Sequence, residues 1–232
     1  MLIQWIATSF RAFLFGTSFF KRYKLIIANN DFLLQQVFKM RHKVFSEQLG
    51  WESKNSEALE RDIYDSTAKH VLLWCKKRKE YVASARLVIK PEKNNNPLPS
   101  EFLYSQQYSS SAAATMFPQN TFPIGEISRV LVLQESKENL PKKMRVYPVL
   151  GLYMGILALA KKVAVENIYM LCELPIIEQI QSLTGVRLTL MGDPLNHRGE
   201  RRIVSFSLRK AVLSLSREKK LLFNVMNFTL SL

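Results

Sequence analysis

Hydrophobic positions along this chain change period several times, and each change marks an element. "YKLIIAN" (23–29) is a short apolar run between polar residues and reads as a first strand. In "DFLLQQVFKMRHKVFSEQLGW" (31–51), Leu33, Val37, Met40 and Val44 recur at helical spacing, with Asp31 near the start as a cap. "KHVLLWCK" and "EYVASARLVIKP" read as two strands joined by the charged turn "KRKE". Residues 92–123 are rich in Asn, Ser, Pro and Gln and lose this periodicity, so they read as a long mobile loop. "GEISRVLVL" returns to strand, and "YPVLGLYMGILALAKK" is an apolar helix finished by Lys161 and Lys162. "NIYMLCE" reads as a strand, then "PIIEQIQSLTG" as a helix with Pro in its first turn and Gly past its end. "VRLTLMG" and "RIVSFSL" read as strands, and the tail as a helix followed by an irregular end. This order predicts a mixed α/β fold, a central sheet with helices on its faces.

Composition narrows the picture. The 232 residues are 47% apolar, enough for a real core, and 33 Lys and Arg against 19 Asp and Glu give a formal charge of +14. Such an excess favours anionic partners: an acidic protein, anionic lipid or nucleic acid. The aromatics lie mostly in apolar runs rather than along a basic stripe, which counts against nucleic acid. Cys75 and Cys172 sit inside apolar runs, as reduced core cysteines do. Three histidines and no cysteine pair at ligand spacing predict no metal site. The first 22 residues, aromatic with basic residues just after, read as an amphipathic helix. It suits either a membrane interface or the domain's own core, and its apolar runs are too short to span a bilayer.

The charges are not spread evenly. "ERDIYDSTAKH" crowds Glu60, Asp62 and Asp65 at the mouth of an apolar strand. Arg41, Arg86 and Arg129 are the partners such carboxylates need, because an unpaired buried charge costs several kcal/mol. In extended structure Glu60 and Asp62 share one face, so one guanidinium can meet both. Three arginines committed to these carboxylates leave Glu126, in "GEISR", free to act as a general base. A purely structural ion-pair cluster fits the same charges.

Arg41, Phe45 and Trp51, then Glu60, Asp62 and Asp65, then Arg86, then "EISR" (Glu126 to Arg129) together resemble the signature of acyl-homoserine-lactone synthases. The resemblance covers roughly residues 23 to 206 and implies the GNAT (acyl-CoA N-acyltransferase-like) fold for residues 23–208, with 209–232 a C-terminal extension. "DSTAKHVLL", with His70 opening the strand, and "GDPLNHRGERR" look more like two relatives of that family. These are the N-acyl amino acid synthases and the PEP-CTERM/exosortase-associated acyltransferases, and the first is favoured. The implied activity is transfer of a long-chain fatty acyl group from acyl carrier protein to the amine of an amino acid or related small molecule. The alternative is lactone synthesis from S-adenosylmethionine, and a basic membrane-surface or nucleic-acid-binding protein is the non-enzymatic one.

The resemblance implies roles as well. Glu126 is the candidate base, directly or through water. Arg86 and Arg129 orient Glu60, Asp62 and Asp65, while the backbone from Ile127 through Ser128 to Val130 offers donors to a developing oxyanion. Arg41, Phe45, Trp51 and His70 belong to the acceptor pocket, although Phe45 and Trp51 fit a core equally well. "LQESKENLPKKMRVYPVLG" lacks the glycine-rich coenzyme A loop of many GNAT enzymes. Lys142, Lys143 and Arg145 there could hold the phosphopantetheine phosphate or an acidic carrier-protein helix, or simply form a solvated loop. No bound cofactor is expected, since the acyl-carrier thioester is a substrate. The expected setting is the cytoplasm, with peripheral contact at the inner membrane face left open.

Overall fold

Seven stretches pair into one sheet in the order β1-β2-β3-β4-β5-β7-β6. They are β1 (Tyr23–Ile27), β2 (Ala68–Cys75), β3 (Glu80–Lys90), β4 (Ile124–Val132), β5 (Asn167–Cys172), β6 (Thr189–Asn196) and β7 (Glu200–Ser207). The computed structural model describes residues 14–92, 96–117, 123–135 and 141–230, apart from the side chain of Lys143. Every neighbouring pair is antiparallel except β4 and β5. Those two are parallel, and a parallel pair needs a crossover, which α5 (Tyr147–Lys162) supplies.

α5 is apolar nearly all round because it lies under other helices as well as on the sheet. Helix α1 (14–22) and the C-terminal helix α8 (Arg217–Thr229) pack around it, with Phe19, Leu222, Phe223 and Met226 fully buried. Gly151 makes the approach of α1 possible, and Gly155 lets α5 settle on β1. A Cβ on Gly151 would lie 2.4 Å from Phe19 Cζ, and one on Gly155 would lie 2.4 Å from Leu25 Cδ2. Residues 14–22 form a helix packed against the protein's own core, while residues 1–13, the larger part of the helix expected over 1–22, lie outside the described residues.

The opposite sheet face carries α2 (Asp31–Arg41), α3 (Pro99–Gln107) and α4 (Ser110–Met116). Two small apolar clusters form there. One joins α2 to Leu72 and Leu131, and the other joins α3 and α4 to Val88, Ile124, Tyr169 and Ile203. Buried polar side chains fill the space between them, and this is where the charged residues converge.

Several sequence expectations need correction. Asn30, not Asp31, caps α2: its side chain accepts the Leu33 N–H at 3.0 Å, and the helix continues as a π-helical turn over His42–Gln48. The segment 92–123, read as loop, contains α3 and α4. The tail forms α7 (Leu208–Ser214) as well as α8. Helix α6 (Leu174–Thr184) ends as its sequence predicts, on Gly185 at φ +78.

Candidate active site

The site is organised by an extra residue in β4. Ser84 pairs with Leu131 but Arg86 pairs with Ser128, so β4 contains one more residue than β3 across this interval. That is a β-bulge, and Arg129 takes φ +50 within it. Ile127 packs into the large core under α5, and so do Val130 and Val132, whereas Ile124 and Leu131 face the other side. The bulge thus shifts the alternation and lets Arg129 join the face that carries Glu126. Beside it, β4 and β5 pair only from Ile124 with Asn167 to Glu126 with Tyr169, then part. Glu126 stands where the two strands separate.

The three crowded carboxylates meet three arginines, as expected. Arg41 Nε donates to Glu60, and its Nη1 donates to Asp65 Oδ1 at 2.6 Å. Arg86 Nη1 reaches Asp62 Oδ1 at 2.5 Å and Asp65 Oδ1 at 2.9 Å, while its Nε donates to Ser128 Oγ at 3.0 Å. Arg129 Nη2 donates to Glu60 Oε1 at 2.9 Å and Glu52 Oε1 at 2.7 Å. Glu52 is shared with Arg198, whose Nη2 lies at 2.8 Å. The pairs form one chain from the middle of the sheet to the tip of the β6–β7 hairpin. Local backbone capping fixes the carboxylates too. Asp62 accepts the Tyr64 N–H and Asp65 accepts the Asp62 N–H, closing a 3-10 turn over Ile63–Ser66.

Burial works against the Asp65 carboxylate, but Arg41, Arg86 and the Asp62 N–H together pull its pKa down to about 2. Arg41, with no exposed surface, is held above its ordinary value despite burial by Glu60 and Asp65. Glu126 differs from this group. Its partner is Ser100 in the first turn of α3, whose N–H and Oγ–H donate at 2.8 and 2.6 Å. Burial pushes its pKa up to about 7, against the downward pull of those two hydrogen bonds and of Arg86. A carboxyl poised near neutrality can take a proton from a substrate and return it to water. Removing one of those bonds in Ser100→Ala is expected to raise Glu126 further. The acidic limb of the rate profile should move to higher pH, as read from kcat/KM between pH 5 and 9.

His70 lies in the same region, paired in register with Arg86, and is almost wholly buried. Neither ring nitrogen has a hydrogen-bond partner, and Nε2 stands 3.6 Å from Asp65 Oδ1. Burial chiefly, with Arg41 and Arg86, outweighs Asp65 and lowers its pKa to about 4, so the ring is neutral at working pH. It packs edge-on to Phe38, at 6.0 Å between centroids. His70→Leu nearly conserves volume and should shift stability by less than about 1.5 kcal/mol in chemical denaturation. The pH limb set by Glu126 should stay where it is.

Phe45 and Trp51 stack at 6.1 Å and 11°, with Phe45 buried in the α2 cluster and Trp51 half-buried against it. Arg129 lies over Phe45 at 5.4 Å, with Arg198 and Arg201 over Trp51 at 5.7 and 4.9 Å. Lys142 and Arg145 are exposed in the turn that leads into α5, and the backbone of Lys143 lies between them. Among the described residues, no group of three or more His, Cys, Asp or Glu could hold a metal ion, and no helix is long and apolar enough to cross a membrane. Sequence reasoning missed Ser100, Glu52, Arg198 and Arg201. "LPSE" offered a signal for the first, since Pro99 and Glu101 mark a helix start.

The autoinducer synthase family model matches residues 25–211, which include every residue of this charged chain. The chain belongs to that family. No curated protein sequence matches it. Among solved structures, the acyl-homoserine lactone (AHL) synthase LasI superposes with a TM-score of 0.60 at 16% identity, covering 83% of this chain and 94% of that one. The CoA-dependent acyl-homoserine lactone synthase BjaI, solved with SAM and isopentyl-CoA, gives 0.58 at 17%, covering 90% and 92%. FeeM, an N-acyl amino acid synthase from uncultured soil microbes, gives 0.60 at 11%, covering 86% and 98%. The fold of this autoinducer synthase relative is the GNAT-like one, and the protein is an acyltransferase of the lactone-synthase and N-acyl amino acid synthase type.

Proposed function

We propose that this acyltransferase moves a long-chain acyl group from acyl carrier protein to the amine of an amino acid, with Glu126 as the base. The observation that carries the reading is the Glu126 carboxyl, buried where β4 and β5 part and raised to about 7. An ammonium cannot attack a thioester. Glu126 takes one ammonium proton, and the neutral nitrogen adds to the thioester carbonyl. Ile127 and Ser128 keep their β3 partners but lie beyond the last β5 pair, and backbone N–H groups there and at Val130 in the bulge are the proposed donors to the oxyanion. The intermediate collapses as the C–S bond breaks. The thiolate, with an unperturbed pKa near ~8.5, takes up the second nitrogen proton, leaving an amide and a free phosphopantetheine thiol. In this scheme Arg41, Arg86 and Arg129 hold Glu60, Asp62 and Asp65 in place and shape the pocket wall. Phe45 and Trp51 cover the acceptor.

Carrier proteins are acidic, and this chain carries a formal +14 with Lys142 and Arg145 exposed before α5. Acyl carrier protein is therefore expected to outperform acyl-coenzyme A, with an advantage that shrinks as salt rises. Initial rates with both donors across a salt series test this, together with mass spectrometry of the lipid product. Equal rates at every ionic strength would remove the carrier protein from the scheme. A product that is only acyl-homoserine lactone, formed only with S-adenosylmethionine, would replace the acceptor.

A further inference from the structure

Arg201 is the arginine of this site whose charge is least accounted for. It belongs to β7, pairs with Leu195 of β6, and lies over the face of Trp51. Its Nε is buried without a hydrogen-bond partner. Its Nη2 meets Glu173 only at 3.4 Å, and that carboxylate is nearly half exposed. Glu52, the carboxylate bound by the neighbouring Arg198, is divided between Arg129 and Arg198. Three guanidinium groups thus surround the Phe45–Trp51 pair, and the field they create acts on their neighbours. Burial chiefly, with Arg198 and Arg129 against the pull of Glu173, lowers Arg201 below its ordinary value. Burial again leads for His197, and Arg198, Arg201 and Arg129 add to its depression.

A buried donor without a partner costs free energy that a bound acceptor atom recovers. The Nε and Nη2 of one guanidinium form the fork that matches the two oxygens of a carboxylate. We propose that Arg201, supported by Arg198, is a carboxylate-recognition subsite that selects acceptor amines bearing a free carboxylate and no additional positive charge. An α-amino acid meets both conditions. S-adenosylmethionine meets only the first, because its sulfonium would lie among three arginines, where a second cation is repelled. The proposal rests on the reading that the acceptor enters beneath Trp51 toward Glu126. A phosphopantetheine phosphate is the other anion in the reaction. The basic turn of Lys142 and Arg145 leads into α5, and α5 lies on the sheet face opposite Arg201's neighbours.

The test compares each of the twenty free amino acids with its carboxamide as acceptor, alongside S-adenosylmethionine, at saturating acyl carrier protein thioester. In the unaltered protein the best amino acid is expected to exceed its amide by about 10- to 10²-fold in kcat/KM, the range of a hydrogen bond to a charged group. Arg201→Gln should erase that ratio by raising the KM for the acid while leaving the amide and the donor KM unchanged, and Arg201→Lys should restore part of it. Equal rates for acid and amide in the unaltered protein would overturn the subsite while leaving amine acylation intact. A rise in donor KM with an unchanged acid-to-amide ratio would overturn it too, giving the arginine to the donor phosphate. Turnover of S-adenosylmethionine alone would instead overturn the amino acid reading, and the charge selection with it.

Discussion

Glu126→Gln is expected to leave the protein folded and to lower turnover by roughly 10²-fold or more. Glutamine has nearly the same volume, and its carbonyl oxygen can still accept the Ser100 N–H and Oγ–H. What disappears is the group that takes the proton. The pH dependence adds a second signature. The base must be ionised, so kcat/KM should fall as pH drops through about 7, approaching tenfold per unit well below it. The Gln variant should lack that limb altogether while melting near the unaltered protein. A Gln variant of full activity would make Glu126 structural.

The largest loss of stability is expected from Asp65→Ala. Asp65 lies between Arg41 and Arg86, both essentially without exposed surface, and it bonds to each. Removing it leaves buried positive charge uncompensated, which costs about 3–5 kcal/mol. Urea denaturation of the two proteins measures the difference. Asp62→Asn should cost less, since that side chain is 24% exposed and its amide can still cap the 63–66 turn. The same residue predicts acid behaviour. The Asp65 pKa is depressed on folding, from 3.8 to about 2, so its stabilising contribution is complete above 3.8 and is lost as pH falls toward 2. The Ala variant should show a flatter stability profile across that window.

The charged centre was legible because its chemistry demands pairing. Three carboxylates before a buried strand need cations; Arg41 and Arg86 stood on the elements that pack over and beside that strand, and Arg129 on the next strand across. The strands and α5 were legible from apolar period. Helices α3 and α4 were not, because their inward faces rest on few residues, among them Ser100, Tyr104, Ala113 and Met116, amid Ser, Gln and Ala. Missing α3 meant missing Ser100, and with it the hydrogen bonds that set Glu126 apart from the ion-pair chain. Glu52, Arg198 and Arg201 escaped for another reason. The α2–β2 connection and the β6–β7 hairpin meet only through tertiary packing, and nothing local in either sequence announces the other.

The extra residue in β4 carries a consequence for the length of the chain. Before Ile127 the strand keeps one phase of inward and outward side chains, and from Val130 onward it keeps the other. The bulge works like a frameshift in a text read two letters at a time. Flattening the bulge without losing a residue would turn Leu131 from the α2 cluster toward α5, whereas deleting one residue between Ile127 and Val130 would restore a regular ladder with Leu131 still opposite Ser84. The packing on both faces is thus compatible with the shorter strand, but the shorter strand has no place for the extra residue that Arg129 supplies. The count between Glu126 and Leu131 is therefore set by the ion-pair chain that Arg129 joins, and the core alone would accept one residue fewer.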